Sequence, residues 1–442
     1  MDARAHFEGK KITVLGLGLL GRGVGDARYL AEQGAELIVT DLKSKEELVE
    51  SLALLAAFPH ITYTLGEHRV EDFKGRDYIL KAAGVPDPSP YLDAARAEGT
   101  PIKMSASWFA EISGVECVGI TGTRGKSTTT HMIHAILEKA GLAPLLGGNV
   151  RGVSTLALLE EATPESIAVL ELDSWQCQGW GEALMSPHIA VFTTFYPDHL
   201  NYYKGNLDAY LADKANLFLH QEAQDTLVLG AQYAEEIEEK FGSRIAAHTI
   251  TVGAHDLRAD WALRVPGEHN RYDAALAVEA CRALSISDED IQEALEAFPG
   301  VPGRLEFIRE VNGVKVYNDT TSTTPDATLA ALDALDPETK GNLILIMGGA
   351  DKGLDMSALV QALPAHTKRV IMLSGTGTST ISSRVPGASI FDSLQAAVEE
   401  AMRYASAGDT VVLSPAFASF GMFKNEYDRG DQFNALIQNH AA

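Results

Sequence analysis

A chain of 442 residues, 46% hydrophobic and 22% charged, has the composition of a soluble protein and is too long for one core, which predicts about three domains. Its net charge of −24 argues against nonspecific binding to nucleic acid or acidic lipid, so an anionic substrate must be held locally by loops, lysines and metal. No stretch approaches about 18 continuous apolar residues and the start of the chain has no signal-peptide core, so no membrane span and a cytoplasmic location are expected.

In chain order, Lys11–Leu15 reads as a strand, followed by Gly16-Leu-Gly18-Leu19-Leu20-Gly21 and a helix through about Gln33. A second strand from Glu36 ends at Asp41, an acid 20 residues after the last glycine of a full Gly-x-Gly-x-x-Gly fingerprint. Alone, this pattern predicts NAD and a dehydrogenase. A further strand, Asp77–Lys81, runs into the turn Ala-Ala-Gly84-Val-Pro86. Strand–helix alternation ends near 104, so residues 1–104 form an N-terminal Rossmann-like domain.

The middle region, 105–303, opens with an apolar strand from Val115, then Gly122-Thr123-Arg124-Gly125-Lys126-Ser127-Thr128 and a helix that stops at Gly141. Such a loop aims backbone N–H groups and a helix dipole at one point, which suits a polyphosphate; Lys126 reaches outer phosphates and Ser127 sits on Mg²⁺. The strict spacing would put glycine where Ile120 stands. Glu171 near the end of one strand and His199, beside Asp198 after another, are candidate Mg²⁺ or Mn²⁺ ligands together with Ser127. Lys214 lies on a helix beginning near Leu207, and alone it reads as a surface residue. The run Glu235–Lys240 reads as a solvated face. Cys117, Cys177 and Cys281 match no metal spacing and read as buried free thiols.

Pro299–Gly303 marks a linker. Beyond it, 304–442 begins with a hairpin turning at Asn312-Gly313 and continues with strands at Leu343–Met347, Arg369–Leu373 and Thr410–Leu413, a second doubly wound sheet. Polar loops at Asn318-Asp319, Gly348–Gly353 and Ser414–Asn425 lie along one expected sheet edge, as at a site between domains. The fold class is therefore α/β in three domains, with a central phosphate-loop ATPase of mostly parallel sheet between two Rossmann-like domains.

At this point the chain resembles the Mur ligases of peptidoglycan synthesis, closest in pattern to those that join glutamate to UDP-N-acetylmuramoyl-L-alanine. The resemblance rests on an ordered set of motifs: Gly-Ile-Thr-Gly-Thr-Arg-Gly-Lys126-Ser-Thr, Gly-Gly-Asn149, Glu171-Leu-Asp-Ser-Trp-Gln, Tyr-Pro-Asp198-His199-Leu, Gly-Glu-His269-Asn270, Pro-Gly-Arg304, Asn318-Asp319, Gly-Gly-Ala-Asp351-Lys352 and Leu-Ser-Pro-Ala-Phe-Ala-Ser419. It implies a monomer in which Leu19, Leu20, Asp41 and Gly84 grip UDP and Asn149 the muramoyl group. Lys126 would hold the ATP γ-phosphate, with Asn270 and Arg304 near the nucleotide and Asp319 on its ribose. Ser127, Glu171, His199 and an N-carboxylated Lys214 would bind the metals, and Thr323, Lys352 and Ser419 would bind glutamate.

The reaction so implied is amide formation through an acyl phosphate. Departures from the family pattern are Thr321 in place of a lysine, Glu426 in place of phenylalanine, Arg124, Asp173 and Asp273; the first two leave both D- and L-glutamate open. A folylpolyglutamate synthase-like ligase and a non-enzymatic nucleotide switch are the remaining alternatives.

Overall fold

The structure, a computed structural model, describes residues 3–19, 21–199, 201–338 and 340–440. Three α/β sheets follow one another along the chain. The first contains β1 (Lys11–Leu15), β2 (Glu36–Asp41), β3 (Thr62–Leu65), β4 (Tyr78–Lys81) and β5 (Ile102–Lys103) in the order β3-β2-β1-β4-β5, all parallel. The order reverses between β1 and β4, and the loops that leave these two strands carry Gly16–Gly21 and Gly84. In an open parallel sheet such a switch point leaves a crevice for a ligand.

The second sheet holds β6 (Glu116–Thr121), β7 (Pro144–Gly148), β8 (Ile167–Glu171), β9 (Ile189–Phe192), β10 (Thr226–Gly230) and β11 (His248–Val252), ordered β11-β10-β9-β6-β8-β7 and parallel throughout. From Cys117 onward strand β6 is buried on both faces, as in a parallel sheet covered on both sides. It lies between β8 and β9, so the phosphate loop leaves the sheet between the strand that ends in Glu171 and the strand that leads to His199. The helix Lys126–Lys139 follows, with Gly125 at φ 85 entering it and Gly141 at φ 75 ending it.

The third sheet holds β12 (Glu306–Val311), β13 (Val314–Asn318), β14 (Leu343–Gly348), β15 (Thr367–Leu373), β16 (Ser389–Phe391) and β17 (Thr410–Leu413), ordered β12-β13-β17-β14-β15-β16. Only β12 and β13 pair antiparallel; Asn312 at φ 52 and Gly313 at φ 79 form the expected hairpin turn.

The chain forms two compact units, Met1–Ala259 with Tyr272–Leu295, and Asp260–Arg271 with Glu296–Ala442. The first contains the first two sheets and the second the third. All three cysteines are buried and free, and burial pushes the thiols of Cys117 and Cys177 up to about 12. The acidic helix Ala234–Phe241 is exposed apart from Ala234, Ile237 and a half-buried Phe241, as its charge pattern predicts. No helix among the described residues is long and apolar enough to cross a membrane.

Candidate active site

The segment after β9 holds the phosphate loop in place. Thr193 donates through its N–H to Thr121 O at 2.9 Å and through its hydroxyl to Arg124 O at 2.5 Å. Thr123 N donates to Thr194 O at 2.7 Å, and Arg124 N to the Thr194 hydroxyl at 2.9 Å. These bonds end β9 at Phe192. The strand is shorter than the apolar run His188–Phe195 suggests, and His199 lies in a loop rather than at a strand end, with backbone φ of 51. Gly122 sits at φ 142, and a Cβ there would fall 2.0 Å from Thr193 Oγ1. Gly122→Ala is expected to cost stability on the order of 1–3 kcal/mol by this strain alone and to abolish nucleotide binding; thermal unfolding and calorimetry with an ATP analogue check both.

Two lysines converge on this loop. Lys126 Nζ donates to Gly122 O and Thr123 O, each at 3.1 Å. Lys214 Nζ donates to the same Gly122 O at 2.7 Å and to the Thr121 hydroxyl at 3.3 Å, and it lies 4.8 Å from the centre of the Tyr210 ring. Lys214 is 1% exposed, so the surface reading of its helix position fails: the helix Leu207–Ala215 turns this residue inward. Burial, with the charge of Lys126 adding to it, pushes the Lys214 amine down to about 7. A buried lysine that is partly neutral near pH 7 is a nucleophile able to add CO₂.

The His199 ring lies 4.5 Å from Trp175, tilted by 54° to it, and 6.0 Å from Tyr210. Burial lowers its pKa despite Asp198 Oδ2 at 3.8 Å, so the ring is neutral and competent as a ligand. Asp198 is itself held below its ordinary value: burial raises it, but His199, Arg124 and Lys126 outweigh burial. Glu171 ends β8, buried, with its Oε1 accepting from Asn149 Nδ2 at 3.2 Å. Asn149 also donates its backbone N–H to Glu171 O at 2.6 Å. Ser127 is buried at the start of its helix, and Thr128 follows it there. Among the described residues, no three His, Cys, Asp or Glu side chains cluster as a ready-made metal site.

In the first sheet a cleft of about 420 Å³ opens at the switch point, lined by Gly16–Leu19, Arg22, Asp41, Lys81 and Gly84 among others. Leu20 lies outside the described residues. Asp41 is buried and spends its carboxylate on the loop itself: Oδ2 accepts from Leu17 N at 2.8 Å and Gly18 N at 3.1 Å, and Oδ1 from Lys43 N at 2.9 Å. An acid so engaged shapes the glycine loop, which removes the main support for the dinucleotide reading. Sequence reasoning missed Arg22, whose guanidinium donates to Asn149 Oδ1, and Asp26, a buried carboxylate bonded by Ser105 and Ser154. No local pattern flags either, because each partner lies about 80 residues or more away.

In the second unit, Lys352 Nζ donates to the Thr323 hydroxyl at 3.0 Å, and Ala350 pairs with Ala418, which brings Ser419 to the same sheet edge. Asp319 is buried: Oδ1 accepts from Leu305 N at 3.1 Å and Oδ2 from the Ser414 hydroxyl at 2.7 Å, and burial pushes its carboxyl up to about 6. Thr321, standing where a lysine was expected, donates to Gly303 O at 3.0 Å. Asn270 Nδ2 donates to Pro266 O at 2.6 Å, and Arg304 N to Val301 O at 3.0 Å. The fully buried Arg429, which no motif marks, donates to Thr320 O at 2.8 Å, the Thr320 hydroxyl at 3.1 Å and Phe417 O at 3.4 Å.

Three family models match in chain order: the Mur ligase MurD-like N-terminal domain over 10–103, the Mur ligase middle domain over 120–282, and the Mur ligase glutamate ligase domain over 303–417. The UDP-N-acetylmuramoylalanine--D-glutamate ligase of Roseiflexus sp. (strain RS-1) is 36% identical, with 98% of this chain and 99% of that one covered. The ligase of the same name from Borreliella burgdorferi strain B31 is 35% identical over 96% and 97%. Among solved structures, the MurF ligase of Thermotoga maritima in complex with ADP has a TM-score of 0.61 at 16% identity, covering 99% of this chain and 97% of that one.

A phosphate loop at the head of a parallel sheet, with α/β domains before and after it, defines a nucleotide-dependent enzyme of three domains. At more than a third identity along nearly its whole length to named ligases, the chain belongs to the Mur ligase family.

Proposed function

We propose that the chain is the ATP-dependent ligase that joins glutamate, in its D form, to UDP-N-acetylmuramoyl-L-alanine in peptidoglycan precursor synthesis. The observation that carries this reading is the pair of lysines on Gly122 O. One is a phosphate-loop cation; the other is a buried amine pushed down to about 7, poised to become a carbamate at the same loop. The names of the full-length relatives support D-glutamate, and the hydroxyl of Thr321 is taken up by Gly303 O and so leaves the recognition of glutamate to other residues. The domain limits we assign are 1–104, 105–303 and 304–442, and we place the enzyme in the cytoplasm as a monomer.

When bound, ATP would give its γ-phosphoryl group to the L-alanyl carboxylate, releasing ADP, with Mg²⁺ (or Mn²⁺) screening the charge; the amine of glutamate would then displace inorganic phosphate from the acyl phosphate and lose a proton. Two anions meet in that first transfer, so the work of the chain is mostly charge neutralisation and positioning. Gly122, Thr123, Arg124, Gly125 and Thr128 shape the loop, Lys126 neutralises the outer phosphates, and Ser127, Glu171, His199 and carbamylated Lys214 hold the metal. Leu19, Leu20, Gly84 and Asn149 hold the UDP-sugar, with Asp41 shaping the loop that does so. Asn270, Arg304 and Asp319 serve the nucleotide. Lys352, already bonded to Thr323, and Ser419 on the adjoining loop receive the glutamate carboxylates.

Phosphate release is expected from ATP, Mg²⁺ and UDP-N-acetylmuramoyl-L-alanine when D-glutamate is present. L-glutamate is expected to give little. Release only with L-glutamate would reverse the stereochemical assignment, and release with neither would overturn the proposal.

A further inference from the structure

The N-terminal cleft and the candidate metal ligands of the central sheet are joined by a short polar chain. Arg22, the first residue of the helix that follows Gly21, lines the cleft and donates from Nη1 to Asn149 Oδ1. Asn149 Nδ2 in turn donates to Glu171 Oε1 at 3.2 Å. The amide orientation is fixed by chemistry at both ends. A guanidinium only donates, so it must face the amide oxygen; an ionised carboxylate only accepts, so it must face the NH₂ group. Turning the amide over would set donor against donor and acceptor against acceptor.

A second bridge runs alongside the first. The Trp175 indole lies 3.9 Å from where a Cβ on Gly84 would sit, and its ring centre is 4.5 Å from that of His199 in a tilted contact. Each candidate ligand, Glu171 and His199, therefore has one side chain between it and a residue that lines the cleft.

Charge makes Arg22 the pivot. The chain carries −24 overall, and Asp26 and Asp41 line this cleft, so a diphosphate entering it needs a local cation. Lys43 and Lys81 line it too, but Lys43 lies 4.0 Å from the Asp41 carboxylate and Lys81 is buried with its Nζ given to Val85 O and Gln178 Oε1. Arg22 stands at the N-terminal end of an 11-residue helix, directly after the glycine loop, where the helix dipole adds to its charge. A guanidinium has five N–H donors and can serve a phosphate and Asn149 at once.

We propose that Arg22 is a positioning residue that binds the diphosphate of the UDP-substrate and, through Asn149, sets the orientation of Glu171, so that filling the cleft tightens metal–nucleotide binding in the central sheet. This rests on the UDP-sugar reading above. The coupling is reciprocal: metal–nucleotide tightens the UDP-substrate by the same factor.

Calorimetry on the full chain tests it without turnover, using UDP-N-acetylmuramoyl-L-alanine and the Mg²⁺ complex of a non-hydrolysable ATP analogue, separately and together. In the wild type, saturating UDP-substrate is expected to tighten the analogue about fivefold or more. Arg22→Met, which keeps the apolar stem, is expected to weaken the UDP-substrate at least about tenfold, as for a lost charge-assisted hydrogen bond, and to bring the coupling factor to about one. Arg22→Lys restores part of both losses, and it serves alone if Arg22→Met does not fold. Wild-type affinity and coupling in a folded Arg22→Met or Arg22→Lys protein would overturn the inference. So would a wild type that binds both ligands with no coupling, and either result leaves the ligase reading intact. A wild type that does not bind the UDP-substrate overturns both.

Discussion

Lys126→Ala is expected to lower kcat for phosphate release by about 10²–10³-fold, the scale found when one preorganised stabiliser of developing charge is removed. The ammonium sits 3.1 Å from two carbonyls of its own loop, so its position is set by the backbone before any phosphate arrives. Preorganisation of this kind makes the loss fall on the chemical step, because the cation meets most negative charge during transfer. A fall in nucleotide affinity with kcat unchanged would mean that Lys126 serves binding alone. Folding is expected to survive, since the loop is held by Thr193, Thr194 and Thr123 through bonds that do not involve this side chain.

Lys214→Ala is expected to cost at least about a hundredfold in activity, with part of it returned by millimolar formate or acetate. On the proposed carbamate reading, the substitution removes that group and leaves a cavity beside Thr121 and Gly122, into which a short carboxylate can bring back two anionic oxygens. Lys214→Met, which fills that space, should show the loss without the rescue. The pH dependence has a definite sign. Burial lowers the amine from 10.5 to about 7, so the neutral form that reacts with CO₂ grows as pH rises through 7. Bicarbonate should therefore restore CO₂-stripped enzyme better at pH 8 than at pH 6. The same depression means that the unmodified fold loses stability as pH falls from 10.5 toward 7, because the unfolded chain holds that proton more tightly. Equal rescue of the alanine and methionine variants would sink the carbamate assignment.

What the sequence made legible follows burial. Strands β1, β6, β8, β9, β14, β15 and β17 are apolar runs inside their sheets, and their turn and cap residues mark where most of them end. The strands that reading the chain does not single out are β3, β5, β7, β11 and β16, all at sheet edges, together with β10 beside the edge strand β11. Edge strands are short and half-exposed, so residues such as His248 and Thr249 of β11 carry no hydrophobic period to find. The strand, loop and helix around Lys126 and the strand end at Glu171 were legible because their pattern is local. The inward turn of Lys214 was not, because the helix Leu207–Ala215 is only weakly amphipathic and its burial depends on a loop some 90 residues earlier. Arg22 and Arg429 were hidden for the same reason, and Asp41 carried a misleading signal: an acid at the expected spacing that bonds its own loop instead of a ribose.

Arg429 bears on how the proposed glutamate site could change its preference. Its guanidinium fastens the 318–324 loop, through Thr320, to the 414–419 loop, through Phe417. It has donors and no acceptor, so whatever backbone replaces either loop must still offer a carbonyl at that depth. Burial makes an unmet donor there costly. The two loops are thus inherited as a set. If these loops receive the amino acid as proposed, grafting one of them from a relative with another preference should give an insoluble or inactive chimera, whereas moving both with the helix Glu426–Asn439 that bears Arg429 is expected to carry the preference over.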